Sequence, residues 1–372
     1  MPTLKGVNLT ILVGPVAVLP VPAAVVDALE SATVTQAVGQ RSGWQLTFSF
    51  SKSSPIAQTL LPSGYFDPLI RVILVATLNG LPTVIADGPI MRQDVTASAT
   101  PGHSKLVLTG TDVSSYMDLI PFDGMPYPAM PSFSRVALML AKYAMFGVIP
   151  VPIPALFESV PDPTEKLPSQ KGTDYAYIQE LAKAAGYDFY VVPGPAPGTN
   201  TAYWGPQVRI GVPQPALSVD MDHASNVEQI AFTADGAAAE LPIAFVKVGP
   251  ISIPVPVPDI GILNPPLSMR PMIPTKIRQI QTERLKLPDV LGALLAGRSR
   301  VDPITGTGSL DVTRYGQPLG ARKLVGVRGA GLAYDGLWYV RSVTNTLTRG
   351  SWKQNFQLAR DGLVSNVPLV PA

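Results

Sequence analysis

The segment from Gly306 to Leu363 constrains the fold more tightly than any other part of the chain, because it reads as strands joined by tight turns. Residues 323–327 form a short, mostly apolar run, and Gly329-Ala330-Gly331 follows with residues free to take positive φ. Asp335-Gly336 is a hairpin signal, flanked by Tyr334 and by Leu337-Trp338-Tyr339-Val340. From Trp352 the pattern alternates: Trp352, Gln354, Phe356 and Leu358 share one face, Asn355 and Gln357 the other. Which face is buried depends on register, since a slip of one residue exchanges them. The segment holds no set of side chains equipped for chemistry.

Residues 1–112 have the same all-β character. Residues 45–52 alternate, with Leu46, Phe48 and Phe50 on one face. Residues 69–78 are apolar and β-branched, Asn79-Gly80 turns the chain, and residues 82–91 return as a second strand. Residues 105–109 form a further short strand leading into Gly110-Thr111-Asp112. Short strands at this spacing predict a sandwich or barrel.

Residues 113–215 predict a small α+β insert. Ser132 is a candidate N-cap for a helix over 133–146, stopped by Gly147. Thr173 is a candidate cap for a helix over 174–185 whose apolar face carries Tyr175, Ile178, Leu181, Ala182 and Ala185, with Gly186 as its stop. Residues 187–192 then read as a strand, and 207–212 as its expected neighbour. Strand-like alternation returns over 216–236 (Leu217, Val219, Met221, Val227, Ile230, Phe232). Residues 237–305 are a proline-rich and then basic excursion, with a short helix expected over 288–296 and basic residues Arg270, Lys276, Arg278, Arg284, Lys286, Arg298 and Arg300 against Glu283 and Asp289.

Proline is the compositional outlier, with 40 residues in 372. It clusters in VLPVPAA (18–24), VIPVPIPAL (148–156) and IPVPVPDIG (253–261). Proline removes a ladder donor and cannot sit inside a helix, so these stretches predict extended connectors or apolar arms. Only 15% of residues are charged, which leaves a surface suited to burial against other subunits, and the net charge of +2 sets up no field for nucleic acid. There is no cysteine, so disulfides, thiol catalysis and cysteine-held metals are excluded. No signal peptide is read, and the prolines in the apolar run of residues 11–26 argue against a membrane span.

Candidate chemistry is sparse. His103 and His223 lie far apart; Asp220, Asp222 and His223 fit a polar strand end better than a metal site. Gly326-Val327-Arg328-Gly329-Ala330-Gly331 has the wrong spacing for a nucleotide loop and leads into a strand rather than a helix. The basic run lacks the interleaved aromatics of a single-strand binder. No catalytic residue, cofactor or metal is expected. An internal echo is more informative. Asp87-Gly88 and Asp335-Gly336 each follow an apolar strand, precede Val95 and Val343 at the same spacing, and lie upstream of strands ending in Asp112 and Asp361-Gly362. The echo implies two related β-domains flanking the insert.

Residues 173–192, TDYAYIQELAKAAGYDFYVV, resemble a segment of the baseplate hub proteins of contractile phage tails, the late control protein D group and the hub half of type VI secretion spike proteins. Residues 310–363 resemble the end of the same hub domain, through Asp311-Val312, Arg314-Tyr315-Gly316, Gly329-Ala330-Gly331, Tyr334-Asp335-Gly336, Tyr339-Val340 and Phe356 to Leu363, and Leu108-Thr109-Gly110 with Asp112 fits as well. The resemblance marks Asp174, Tyr177, Leu181, Tyr187, Tyr315, Gly316, Gly329, Gly331, Tyr334, Asp335, Gly336, Tyr339, Phe356 and Arg360 as structural or interface positions.

The fold class it implies is mixed and β-rich (α+β). Residues 1–112 would be a first antiparallel β-barrel tube domain, residues 216–236 with 306–363 a second, 113–215 the insert, 237–305 an excursion of open role and 364–372 a tail. It further implies a homotrimer that joins a three-fold spike, expected as a separate polypeptide, to a six-fold inner tube. Partners would be an inner-tube initiator and other baseplate components; the place would be a virion tail or injection particle assembled in the cytoplasm. The rival classes are a β-rich cell-wall or glycan hydrolase and a glycan-binding adhesin.

Overall fold

The computed structural model describes residues 6–100, 102–154, 167–248, 251–256, 264–273, 275–280, 302–367 and 370. The expected helix over 288–296, and Glu283, Arg284, Lys286, Arg298 and Arg300, lie outside them.

The first part of the chain supplies β1 (Val7–Gly14), β2 (Leu19–Pro20), the short helix α1 (Ala23–Ala28), β3 (Leu29–Ala37), β4 (Gly43–Phe50), β5 (Arg71–Leu78), β6 (Leu81–Thr96) and β7 (Ser104–Thr111). The last part supplies β11 (Gln214–Ser218), β12 (Gln229–Ala234), β17 (Ile304–Asp311), β18 (Leu324–Arg328), β19 (Gly336–Thr348), β20 (Ser351–Arg360) and β21 (Gly362–Ser365). The two sets are built alike. In space the first runs β5-β6-β7-β4-β3 and the second β18-β19-β20-β17-β12, so strands of the same rank in sequence occupy the same places, and every pairing is antiparallel. The long second strand of each unit carries a register shift, between Ile90 and Arg92 in β6 and between Val340 and Ser342 in β19. Such a bulge bends a strand, so its first half can pair with one neighbour while its second half turns away.

The β-rich α+β class holds, but the two closed barrels do not form. Among the described residues the ladder is one open thirteen-stranded sheet, β12-β17-β20-β19-β3-β4-β7-β6-β5-β1-β2 with β18 and β11 branching from β19. The free edge of β3 does not return to its own unit but pairs antiparallel with the second half of β19, Ala37 to Ala32 against Ser342 to Leu347. A buried polar cluster lies on the β19 side of this seam, and its Asn345 Nδ2 reaches across to the Val34 carbonyl at 3.5 Å. Asn345 accepts from Trp352 Nε1 at 2.9 Å and from Gln354 Nε2 at 2.8 Å, and Gln354 also donates to the Leu319 carbonyl at 3.0 Å. In β20 the buried face is Trp352, Gln354, Phe356 and Leu358, which settles the register left open by alternation. Glycines 306 and 308 of β17 lie under this strand. A Cβ on Gly308 would come within 2.6 Å of the Phe356 ring and 2.5 Å of the Gln229 carbonyl, so β17 is glycine-rich to let a ring cross it.

The insert has its own apolar cluster, with Met139, Leu140, Ile178, Leu181, Val191 and Trp204 at its centre. α2 (Ser132–Ala141) is shorter than the predicted helix: a 3₁₀ turn, Ala144–Phe146, completes the run to Gly147, which takes φ +72°. α3 (Asp174–Ala185) matches its prediction at both ends. Thr173 Oγ1 accepts from the Ala176 N–H at 3.2 Å and donates to Asp118 at 2.6 Å, and Gly186 closes the helix at φ +67°. Thr173→Ala should cost about 1 kcal/mol, read as a lower urea midpoint with an unchanged slope. The strand after α3 is β9 (Asp188–Pro193), but its neighbour is not 207–212. It pairs with β10 (Asn200–Gly205), which in turn pairs parallel with β8 (Val148–Pro152). Residues 207–212 are instead an extended link bounded by Pro206 and Pro213, and they deliver Arg209 to Asp302.

The excursion after residue 236 also contains strands. β13 (Glu240–Val248) pairs antiparallel with β14 (Ile251–Pro256) and parallel with β16 (Lys276–Ile280), while β15 (Ser268–Pro271) pairs with β21. Among the described residues each proline-rich stretch supplies an edge strand: β2 ends the large sheet, β8 flanks β10 and β14 flanks β13. Edges are where a strand tolerates lost donors, because one side has no ladder to feed.

Candidate assembly surface

Three polar contacts clamp the insert onto the two β-units. Arg71 of β5 makes a bidentate pair with Asp87 of β6, at 2.7 and 2.8 Å, with both side chains almost fully buried. Arg71 Nη2 also donates to the Phe146 carbonyl at 2.8 Å, and Asn200 Nδ2 donates to Asp87 at 2.8 Å, so the pair stitches β5 and β6 to the end of the α2 region and to β10. Arg41 pairs with Asp118 at 2.7 Å and lies 3.5 Å over the Tyr175 ring. Arg322, from the second unit, sits 4.3 Å over Tyr190 of β9. Asp87 was legible only as half of a turn signal; it stands in mid-strand, and its partner is revealed by the β5–β6 register.

The predicted positions fall into two groups. Asp174, Tyr177 and Leu181 are buried in the insert. Asp174 accepts from Lys142 Nζ at 3.0 Å, Tyr143 Oη at 2.9 Å and Gln170 Nε2 at 2.8 Å, which ties the end of α2 to the start of α3. Tyr177 accepts from Arg135 at 2.7 Å, and Tyr187 packs edge-on against Trp204 with its hydroxyl donating to the Pro154 carbonyl.

Of the second group, Gly329, Gly331, Tyr334, Asp335, Gly336 and Arg360 meet around the loop between β18 and β19. Asp335 accepts from the Ala330 N–H at 2.8 Å, and Arg360, fully buried, donates to the carbonyls of Gly362, Asp335 and Ala333 while lying 4.3 Å over the Trp338 ring. Burial pulls the Arg360 pKa down to about 10, still charged at neutral pH. Tyr334 stacks on Phe232 of β12 at 4.6 Å. Gly329 takes φ +87° and passes so close to Val219 that a Cβ would sit 1.9 Å from its carbonyl. Gly331 and Gly336 also take positive φ. Tyr315 is buried, its hydroxyl donating to the Pro215 carbonyl, and Gly316 ends the helical turn Val312–Tyr315 at φ +93°. Tyr339 lies beneath Arg209, with burial raising its phenol to about 12, and Phe356 belongs to the core. In the single chain these residues set loop and sheet geometry.

Among the described residues the large sheet leaves open strand edges. β12 is the last strand of the large sheet, and beyond it no strand pairs among the described residues. The second half of β6, Arg92 to Thr96, pairs with β7 on one side only. Met91 and Val95 stand exposed there, with Arg92 and Asp94 paired to each other at 2.8 Å. Neither histidine joins a ligand set, and no group of three or more metal-binding side chains occurs among the described residues. No helix among the described residues is long and apolar enough to cross a membrane.

No protein-family model and no curated protein matches the sequence. Solved structures do match. A tail protein from Neisseria meningitidis MC58 superposes with TM-score 0.61 at 13% identity, over 97% of this chain and 98% of that one. The 43 kDa tail protein of prophage MuSo2 from Shewanella oneidensis gives TM-score 0.61 at 12% identity, over 96% and 99%. A component of the E. coli type VI secretion system, itself described as structurally similar to T4 bacteriophage tail proteins, gives TM-score 0.52 at 9% identity, over 92% of this chain and 76% of that one. From end to end, the chain has the fold of phage tail proteins and of type VI secretion components.

Proposed function

We propose that this chain is a non-enzymatic hub subunit of a contractile tail or injection particle, acting as a homotrimer between a three-fold spike and a six-fold inner tube. The observation that carries the reading is the duplication. Two five-stranded units of one topology stand side by side in one chain, so three chains present six similar units in a ring. That is the stoichiometry a three-to-six adapter requires. In this reading residues 1–112, and 216–236 with 306–363, are the tube-forming parts. Residues 113–215 form the insert clamped to both. Its partners in this reading are a three-fold spike, an inner-tube initiator and other baseplate proteins. The likeness to tail and secretion proteins supports this role in a virion or injection particle.

The purified chain is expected to sediment at three times its 39.4 kDa mass, alone or once its spike is added. A monomer under both conditions would overturn the reading. Release of soluble fragments from peptidoglycan by the isolated chain would favour a hydrolase instead.

A further inference from the structure

We propose that the free edge of β6 pairs antiparallel with β12 of a second copy of this chain, repeating between subunits the β19–β3 ladder found within one. The argument is geometric. β19 and β6 hold the same place in their units, and the second half of β19 carries β3 on the edge that β6 leaves open among the described residues. β3 and β12 also hold equivalent places, each the last strand of its unit. One edge–edge contact between the units is therefore present in the chain, and its counterpart has both halves exposed at opposite ends.

The bulges give the register. Ile90 and Arg92 of β6 correspond to Val340 and Ser342 of β19, so Gln93 to Thr96 correspond to Val343 to Thr346. Trp44 opposes Gly110 and Gly306 opposes Leu358, the matching positions on β7 and β20, so Val34, opposite Trp44, corresponds to Phe232, opposite Gly306. Within the chain Asn345 faces Val34, Thr346 faces Thr33 and Ser342 faces Ala37. Transferred to the open edges, Val95 faces Phe232 of the next subunit, Thr96 faces Ala231 and Arg92 faces Asp235. The side chains agree with this register: exposed Val95 covers the half-buried Phe232, and a cation meets an anion at the end of the ladder. The Arg92–Asp94 pair keeps the isolated edge from nonspecific pairing. Because β6 and β12 are different surfaces, the contact is head-to-tail and propagates until it closes.

The number of copies in the ring rests on the trimeric reading above; the strand pairing does not. The chain has no cysteine, so paired cysteines report it cleanly. Thr96 and Ala231 are both exposed. The T96C/A231C variant is expected to form, on oxidation, a ladder of covalent species ending at the trimer. The V95C/A231C variant, whose two side chains point to opposite faces in this register, should not. Arg92→Asp should weaken self-association roughly tenfold or more, and adding Asp235→Arg should restore most of it. A trimer by mass with no selectivity between the two cysteine pairs and no rescue overturns the strand pairing and leaves the trimer standing. A monomer at all concentrations, alone and with the spike, overturns both, and an open-ended ladder overturns the closed ring.

Discussion

Asp87→Ala is expected to lower stability by about 3–5 kcal/mol, the range for removing one partner from a buried ion pair. The loss is large because of what stays behind. Arg71 is about 3% exposed, and its guanidinium would keep only the Phe146 and Gly198 carbonyls as partners in a low-dielectric site. Asn200 would lose its carboxylate partner in the same stroke. Since the cluster joins β5 and β6 to the insert, the measurement should show more than a shifted midpoint. Amide exchange should rise over β8 and β10 before it rises in the large sheet. Urea unfolding followed by tryptophan fluorescence gives the magnitude, and a loss below about 1 kcal/mol would contradict the account. Replacing both charges together, Arg71→Met with Asp87→Leu, should recover much of the loss, because desolvation of the ions cancels most of what their pairing contributes.

Trp338→Ala is the second large effect, again about 3–5 kcal/mol. Trp338 is fully buried and makes three different contacts. Its Nε1 donates to the Tyr334 carbonyl at 2.8 Å, the Arg360 guanidinium lies 4.3 Å over its ring, and Phe232 packs 5.2 Å away. Truncation leaves a cavity, exposes the Arg360 charge to a void and removes half the platform on which β12 rests. Trp338→Phe should cost less while still deleting the hydrogen bond. The discriminating readout is local: exchange over 229–234 should accelerate in Trp338→Ala well beyond its effect on β4 and β7. If β12 is the strand presented to the next subunit, the same variant should also weaken trimer formation more than an equally destabilising change in the insert core, such as Leu181→Ala.

Some of this protein was readable in short windows of sequence. The helix after Thr173 shows both ends locally, because a cap side chain and a left-handed glycine act within one turn of the residues they satisfy. The alternation in β20 marked its two faces, and the glycine turns around Asp335 placed the loop that Arg360 later anchors. The lack of cysteine excluded disulfides and cysteine-held metals from sequence alone.

Other features depended on contacts between residues far apart. Alternation says that a strand exists but not which strand lies beside it, so β9 was assigned to 207–212 when its hydrogen bonds go to β10. The proline stretches looked like connectors because a window cannot show whether a strand has one neighbour or two; each turned out to be a sheet edge. The duplication was glimpsed through Asp87-Gly88 and Asp335-Gly336, yet the bulges align the two units two residues away from that match, setting Asp87 beside Leu337. The resemblance motifs imply two barrels per chain, and the β3–β19 pairing makes them one open sheet among the described residues. That pairing joins residues roughly 310 positions apart. Nothing in either strand's local chemistry specifies it, because backbone N–H and C=O groups accept any partner edge, and the choice falls to whichever edge the folded units bring together.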